Sequence, residues 1–140
     1  EKAYRHFGHD ITDEDHVLEA GLGFAVKTGK GEFIGRDAVL KKQDAGLKRR
    51  MVQFKLDDPL PSLFHNEPIL RDGKIVGQTT SANYGHFLGG AVAMGYVPCE
   101  GESAAQVLAS AYEIEFAGVR HKATASLKPL YDPKSERVHA

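Results

Sequence analysis

The sequence predicts an α+β chain rich in β structure, with one clear helix followed by a small antiparallel barrel or sandwich. Three observations carry this expectation. The hydrophobic period changes from helical to two just beyond Gly46. Two short turns, Asp72-Gly73 and Ala117-Gly118, divide alternating runs into hairpins. Pro129 and Pro133 then carry the tail off the sheet, because proline cannot donate to a central ladder. With 140 residues the chain can bury a core without a disulfide or metal staple.

Residues 1–35 mix turn chemistry with apolar patches. Gly8-His9-Asp10 suits a loop, and Thr12-Asp13-Glu14-Asp15 an exposed loop or helix start. Phe24-Ala25-Val26 suits a short strand. The helix is expected over 38–45, with Asp37 at its positive end, Lys41 and Lys42 toward its negative end, and Gly46 as a left-handed stop. Val52, Phe54 and Leu56 alternate with Gln53 and Lys55 as a half-buried strand. Residues 68–71 and 74–77 form the arms of the first hairpin, and Thr79 and Thr80 extend the second arm. Gly85, Gly89 and Gly90 open a loop before an apolar strand at 91–97. Residues 103–110 fit either a short helix or an irregular crossover, and 112–116 with 119–125 make the second hairpin. A domain seam is expected near 47, dividing residues 1–47 from 48–140.

Composition narrows the function. A net charge of −1 offers no general basic face for nucleic acid, so no nucleic-acid partner is expected. The dense basic run Lys48-Arg49-Arg50 is expected to be a solvated junction between helix and strand rather than a phosphate or polyglutamate site. No apolar stretch approaches the roughly 20 residues of a membrane helix, and charges fill the opening residues where a signal peptide would be apolar. The chain opens on Glu1-Lys2-Ala3-Tyr4 without an initiator methionine, as a piece of a longer protein would.

Local motifs for chemistry are sparse. None of the seven histidines makes a His-x-x-x-His pair on a convincing helix, and Cys99 has no second cysteine, so no metal is expected. Gly29 and Gly31 flank Lys30 without phosphate-loop spacing. No nucleophile elbow occurs, and Ser81 suits a strand-edge hydroxyl. Glu1, Asp10 and Glu19 are acids near glycine turns, expected to be solvated.

Six ordered blocks go further. Glu1-Lys2-Ala3-Tyr4-Arg5-His6-Phe7-Gly8-His9-Asp10-Ile11, Leu18-Glu19-Ala20-Gly21-Leu22 and Phe33-Ile34-Gly35-Arg36 come first. Lys48-Arg49-Arg50 with Val76-Gly77 and Thr80-Ser81 follows, then Ala93-Met94-Gly95-Tyr96-Val97-Pro98 and Pro129-Leu130-Tyr131-Asp132-Pro133. Together they resemble the glycine-cleavage T-protein (aminomethyltransferase) family over nearly the whole chain. Glu-Lys-x-Tyr-Arg at the start and Pro-Leu-Tyr-Asp-Pro near the end look more like the branch of dimethylglycine and sarcosine dehydrogenases. Those are long flavoproteins with a T-protein-like C-terminal half. A stand-alone T-protein, or a folate-binding accessory or structural domain, is the alternative. Cys99 does not match the Lys-Gly-Cys-Tyr-x-Gly-Gln signature of the RNA-modification branch, and Val17 stands where many relatives have proline.

The resemblance implies the end of a folate-binding domain over 1–47 and a C-terminal antiparallel β-barrel over 48–140. It implies a parent that is an oxidoreductase with an aminomethyltransferase half. FAD in an N-terminal domain would oxidise an N-methyl amine, and tetrahydrofolate would take the carbon. Glu1 corresponds to a glutamate that holds the pterin, whose N3–H and 2-amino group suit a carboxylate as paired donors. Lys30 corresponds to a basic residue near the folate, and Tyr131 and Arg137 to terminal residues that close over it. The aspartate that orients folate for attack lies upstream of the Glu1 block and is absent here, so no catalytic residue is assigned and the chain alone is expected to be inactive. The remaining domains of its parent are its expected protein partner. Its expected location is the cytoplasm, or the mitochondrial matrix in a eukaryote, which a lone cysteine fits.

Overall fold

The computed structural model describes residues 1–139, and its core is a closed barrel of six antiparallel strands. These are β1 (Arg49–Leu56), β2 (Pro68–Arg71), β3 (Lys74–Gly85), β4 (Gly90–Pro98), β5 (Tyr112–Phe116) and β6 (Val119–Ser126). Their order around the barrel is β1-β4-β3-β2-β5-β6, and β6 returns to β1 through Gln53–Ser126 to Leu56–Ala123 pairing. Closure leaves no open sheet edge, which small all-β folds must otherwise protect.

The hairpin turns explain the order. Asp72 (φ 51°) and Gly73 (φ 79°) join β2 to β3, and Ala117 (φ 50°) and Gly118 (φ 77°) join β5 to β6. Both turns have positive φ at both central positions, which matches the twist of the flanking strands. Register shifts between Ile69 and Leu70, and between Thr79 and Ser81, supply the bends that a small barrel needs. A methyl group on Gly95 would overlap Ile69 Cδ1 and the Gln78 carbonyl, so strands meet closely there. Residues 103–110 resolve as the short helix: α2 (Ala104–Ala109) begins with a Ser103–Gln106 capping box and sends Val107 into the core.

Period-two alternation correctly assigns the barrel interior. Val52, Phe54, Leu56, Ile69, Val97 and Ile114 are fully buried there. It does not describe the outside of β1, expected to be solvated. Met51 and Gln53 are buried too, because residues 1–4 lie across the outer face of β1 and β4. Ala3 packs there against Met51 and Met94, with Tyr96 alongside, in a second apolar cluster.

The segment before the barrel holds three further corrections. Gly23–Ala25 is a 3₁₀ turn, not a strand at 24–26, since no neighbouring strand offers it a ladder. Helix α1 (Arg36–Ala45) forms as expected and Gly46 stops it at a positive φ of 80°, but its ψ of 168° lies outside the left-handed helical cap, in a region essentially reserved for glycine. Asp10 and Glu19 are buried, not solvated. Asp10 accepts the Thr80 hydroxyl and the His6 N–H (2.8 Å). Glu19 accepts from Lys42 (2.6 Å), Arg49 (3.2 Å) and the Lys48 N–H (3.2 Å), while its carbonyl takes the Met51 N–H at 2.8 Å.

The basic run 48–50 is solvated only in part: Lys48 is exposed, whereas Arg49 and Arg50 are half-buried. Arg49 also binds Asp15 at 2.7 Å and lies 4.3 Å from the Tyr96 ring centroid, and Arg50 Nε is buried. Glu19 therefore ties α1, β1 and its own loop together. Burial alone would raise its carboxyl pKa, but the hydrogen bonds from Lys42, Lys48 and Arg49 outweigh burial and hold it below the ordinary 4.5. Because the folded value is the lower one, its stabilisation is present above that ordinary value and is lost as pH falls through the folded value. We expect Glu19→Gln to cost about 2 kcal/mol at pH 7, less than a dry pair because Lys42 and Arg49 reach solvent. In urea unfolding the difference between the two proteins should shrink toward pH 3.

Candidate functional site

The site is built where the chain's two ends meet. Gln53 projects from the outer face of β1 and uses both ends of its amide. Its Nε2 donates to the Glu1 carbonyl (3.2 Å), and its Oε1 accepts the Leu130 N–H (2.9 Å). The Tyr131 N–H adds a bond to the same Glu1 carbonyl at 3.3 Å. A buried amide satisfied at both ends holds both partners in register, since losing either one leaves a costly unpaired group.

The Glu1 side chain then reaches the turn between β3 and β4. Its Oε1 accepts the N–H groups of Phe87 (2.7 Å) and Leu88 (3.0 Å). Adjacent backbone donors converging on one carboxylate oxygen make strong, charge-assisted bonds. Gly85 makes room for this: a Cβ there would lie 3.1 Å from Glu1 Cγ, 3.1 Å from Glu1 Oε1 and 3.2 Å from the Gly90 carbonyl. Oε2 carries no hydrogen bond from the described residues.

The fastened turn presents Phe87 to the tail. Its ring stacks on Tyr131 at 4.5 Å with 17° between the planes. The Arg137 guanidinium lies 5.7 Å from the Phe87 centroid and 5.6 Å from that of Tyr131, within cation–π range. Lys2 binds Asp132 at 2.7 Å and sits 5.9 Å from the Tyr131 ring. That hydrogen bond holds the Asp132 carboxyl below its usual range and raises the Lys2 ammonium. Asp132, at φ 46°, also accepts the Glu136 N–H (2.9 Å), which starts the tail's last turn.

Three of the four candidates from the sequence therefore converge: Glu1, Tyr131 and Arg137. Lys30 stands apart on the exposed loop before α1, its ammonium 5.5 Å from the Phe33 ring. Phe87, Gln53 and Gly85 were not singled out. The glycines around 85–90 signalled a turn, but nothing local names a carboxylate 86 positions away as its anchor. Beside Glu1 opens a cleft of about 320 Å³, walled by Tyr4, Gln53, Ser81, Asn83, Met94 and their neighbours. Ser81 lines the same cleft, and among the described residues no hydrogen bond joins its hydroxyl to a histidine or acid that could act as its base.

Two other groups with chemistry sit outside the cleft. Burial, with Asp15 adding and Arg49 and Arg5 opposing, pushes the Tyr96 phenol up to about 12. The buried Cys99 thiol is likewise raised by desolvation, and its Sγ lies 3.6 Å from the Leu47 carbonyl. Among the described residues, no three His, Cys, Asp or Glu side chains are placed to hold a metal ion.

The closed six-stranded barrel belongs to a class that sequence and structure comparisons identify. The glycine cleavage T-protein C-terminal barrel domain profile matches residues 49–132. This chain belongs to that family. It is 38% identical over 139 residues to 4-methylaminobutanoate oxidase (formaldehyde-forming) of Paenarthrobacter nicotinovorans, covering 99% of this chain and 16% of that protein. It is 38% identical over 142 residues to the mitochondrial sarcosine dehydrogenase of Homo sapiens, covering 99% of this chain and 15% of that protein. The crystal structure of glycine cleavage system aminomethyltransferase T from Bartonella henselae superposes with a TM-score of 0.72 at 28% identity, covering 87% of this chain and 34% of that one. The chain thus spans about a sixth of the length of these two curated relatives.

The geometry makes Gly85 a sensitive position. Gly85→Ala should cost roughly 1–3 kcal/mol in denaturant unfolding, because its methyl group meets both a side chain and a backbone oxygen. It should also shift the Phe87 and Leu88 amide resonances while leaving those of Val52 and Ile114 in place.

Proposed function

We propose that this chain is the folate-facing C-terminal segment of a tetrahydrofolate-dependent, FAD-linked N-methylglycine dehydrogenase of the dimethylglycine or sarcosine type. In that reading residues 1–47 end the folate-binding domain and 48–140 form the barrel that backs it. The observation that supports it most is the Glu1 carboxylate, held at a cleft beside Tyr131 and Arg137. The match to sarcosine dehydrogenase over 99% of the chain supports the same branch.

Each residue then has a part. Glu1 keeps the 86–88 turn with Oε1 and offers Oε2 to the paired donors of a pterin. Tyr131 and Arg137 close over the bound folate from the tail, and Lys30, which stands apart from them here, would have to reach it from the loop ahead of α1. Tetrahydrofolate would supply the nucleophilic nitrogen that takes the one-carbon unit. FAD would be held by sequence beyond these residues, since no glycine pattern for a dinucleotide occurs here. The groups that orient folate for attack would likewise come from outside this chain. The remaining domains of a longer protein would cover Phe7 and Ile34, which are exposed here. We place that protein in the mitochondrial matrix of a eukaryote or the cytoplasm of a bacterium.

The superposition on aminomethyltransferase T favours a second reading, a piece of a stand-alone aminomethyltransferase with the same folate contacts and no flavin. The two readings share Glu1 and differ in whether a methylamine reduces a flavin.

In the intact protein, Glu1→Gln should slow carbon transfer to tetrahydrofolate by about tenfold or more while flavin reduction by the amine continues. Glutamine still offers the turn an acceptor oxygen, so a change in transfer reflects the lost charge. Equal loss of both half-reactions would remove Glu1 from this role. The 140 residues alone should show no micromolar affinity for tetrahydrofolate by calorimetry, because one wall of a site lacks the rest.

A further inference from the structure

We propose that the cavity beside Arg5 binds a small aromatic carboxylate, at a site separate from the Glu1 cleft. At about 660 Å³ it is twice the volume of that cleft, and residues 2–4 line both, forming the partition between them. Its walls are mainly apolar, with Tyr4, Leu22, Phe24, Leu127 and Pro129 among them.

The guanidinium of Arg5 carries the proposal. It is half-buried, and burial lowers its pKa, so the site already bears the cost of desolvating a cation. Its hydrogen bonds go only to main-chain carbonyls, from Nε to Ala20 (3.0 Å) and from Nη1 to Ala3. It forms no ion pair with a described residue, whereas Lys2, Arg49 and Arg71 each do. Nη2 is left without a partner among the described residues. It stands beside Gly21 (φ 69°), where an added Cβ would come within 2.7 Å of it. The missing side chain at Gly21 thus keeps Nη2 clear.

The rest of the wall fits the same ligand. Asp132 is the one carboxylate on it, and Lys2 already neutralises that group at 2.7 Å. Lys128 adds an exposed second cation. Phe24 and Tyr4 are 81% and 75% exposed, and offer ring faces to a planar body. A carboxylate on Nη2 and an aromatic ring against Phe24 would complete both halves. Pockets of 300–1,000 Å³ are the ordinary size for such ligands.

The test uses the 140-residue chain and 2-naphthoate, followed by ¹H–¹⁵N NMR, with neutral 2-naphthamide as the control. Saturable shifts at Gly21, Leu22, Phe24 and the Arg5 Nε–H are expected, with the Phe87 and Leu88 amides unmoved. The amide should bind about tenfold more weakly, the worth of one charge-assisted hydrogen bond. Arg5→Gln should weaken naphthoate to the same degree. Phe24→Ser, at an exposed position that does not endanger folding, should weaken both compounds. Absence of saturable shifts, equal binding of acid and amide, or shifts confined to the Glu1 cleft would each overturn the proposal.

Discussion

One side-chain amide, that of Gln53, decides where the segments around Glu1 and Leu130 lie. Gln53 donates to the Glu1 carbonyl and accepts from Leu130, so two segments 129 positions apart meet on one residue of β1. Everything in the candidate site descends from that meeting. The Glu1 carboxylate reaches the 86–88 turn only because its main chain is held over β1. Phe87 meets Tyr131 only because the tail is held beside it. An apolar residue at 53 would pack as well against Met51 and Met94, but it would specify neither segment.

The barrel makes such an anchor useful. Its interior is filled by alternate residues of every strand, so the outward residues of β1 and β4 are free to bind something else. Here they bind the first residues of the chain. Ala3 is small enough to lie against Met51 and Met94, and Glu19 fixes the loop and helix that follow. The outer face thereby gains buried charge, which is specific only while every group is paired. Two arginines depart from this: the Arg5 guanidinium is satisfied by carbonyls instead of a carboxylate, and the buried Arg50 Nε has no hydrogen-bond partner among the described residues.

Much of the barrel was legible in the sequence because its signals are local. Asp72-Gly73 demands positive φ at both positions, and Asp37 with Gly46 brackets α1. The errors arose where the answer depended on what covers a face. Alternation shows that Gln53 points away from Phe54, but not that the chain's own start lies over it. Asp10 and Glu19 look like surface acids until Thr80, Lys42 and Arg49 are brought to them by the fold. Phe24-Ala25-Val26 has strand composition, yet a strand needs a neighbour and this segment has none. Family resemblance pointed to Glu1, Tyr131 and Arg137, whereas Phe87 was hidden because its partners are distant in sequence and its own turn is unremarkable.

Hydrogen exchange in a Gln53→Leu variant tests most directly whether that amide assembles the site. Exchange of the Leu130, Tyr131, Phe87 and Leu88 amides should quicken by about tenfold or more, as local opening of both segments becomes easier. The Val52 and Ile114 amides, inside the barrel ladder, should keep their protection. Unchanged exchange at Leu130 and Tyr131 would contradict the account, since the two ends would then be held together by something other than Gln53.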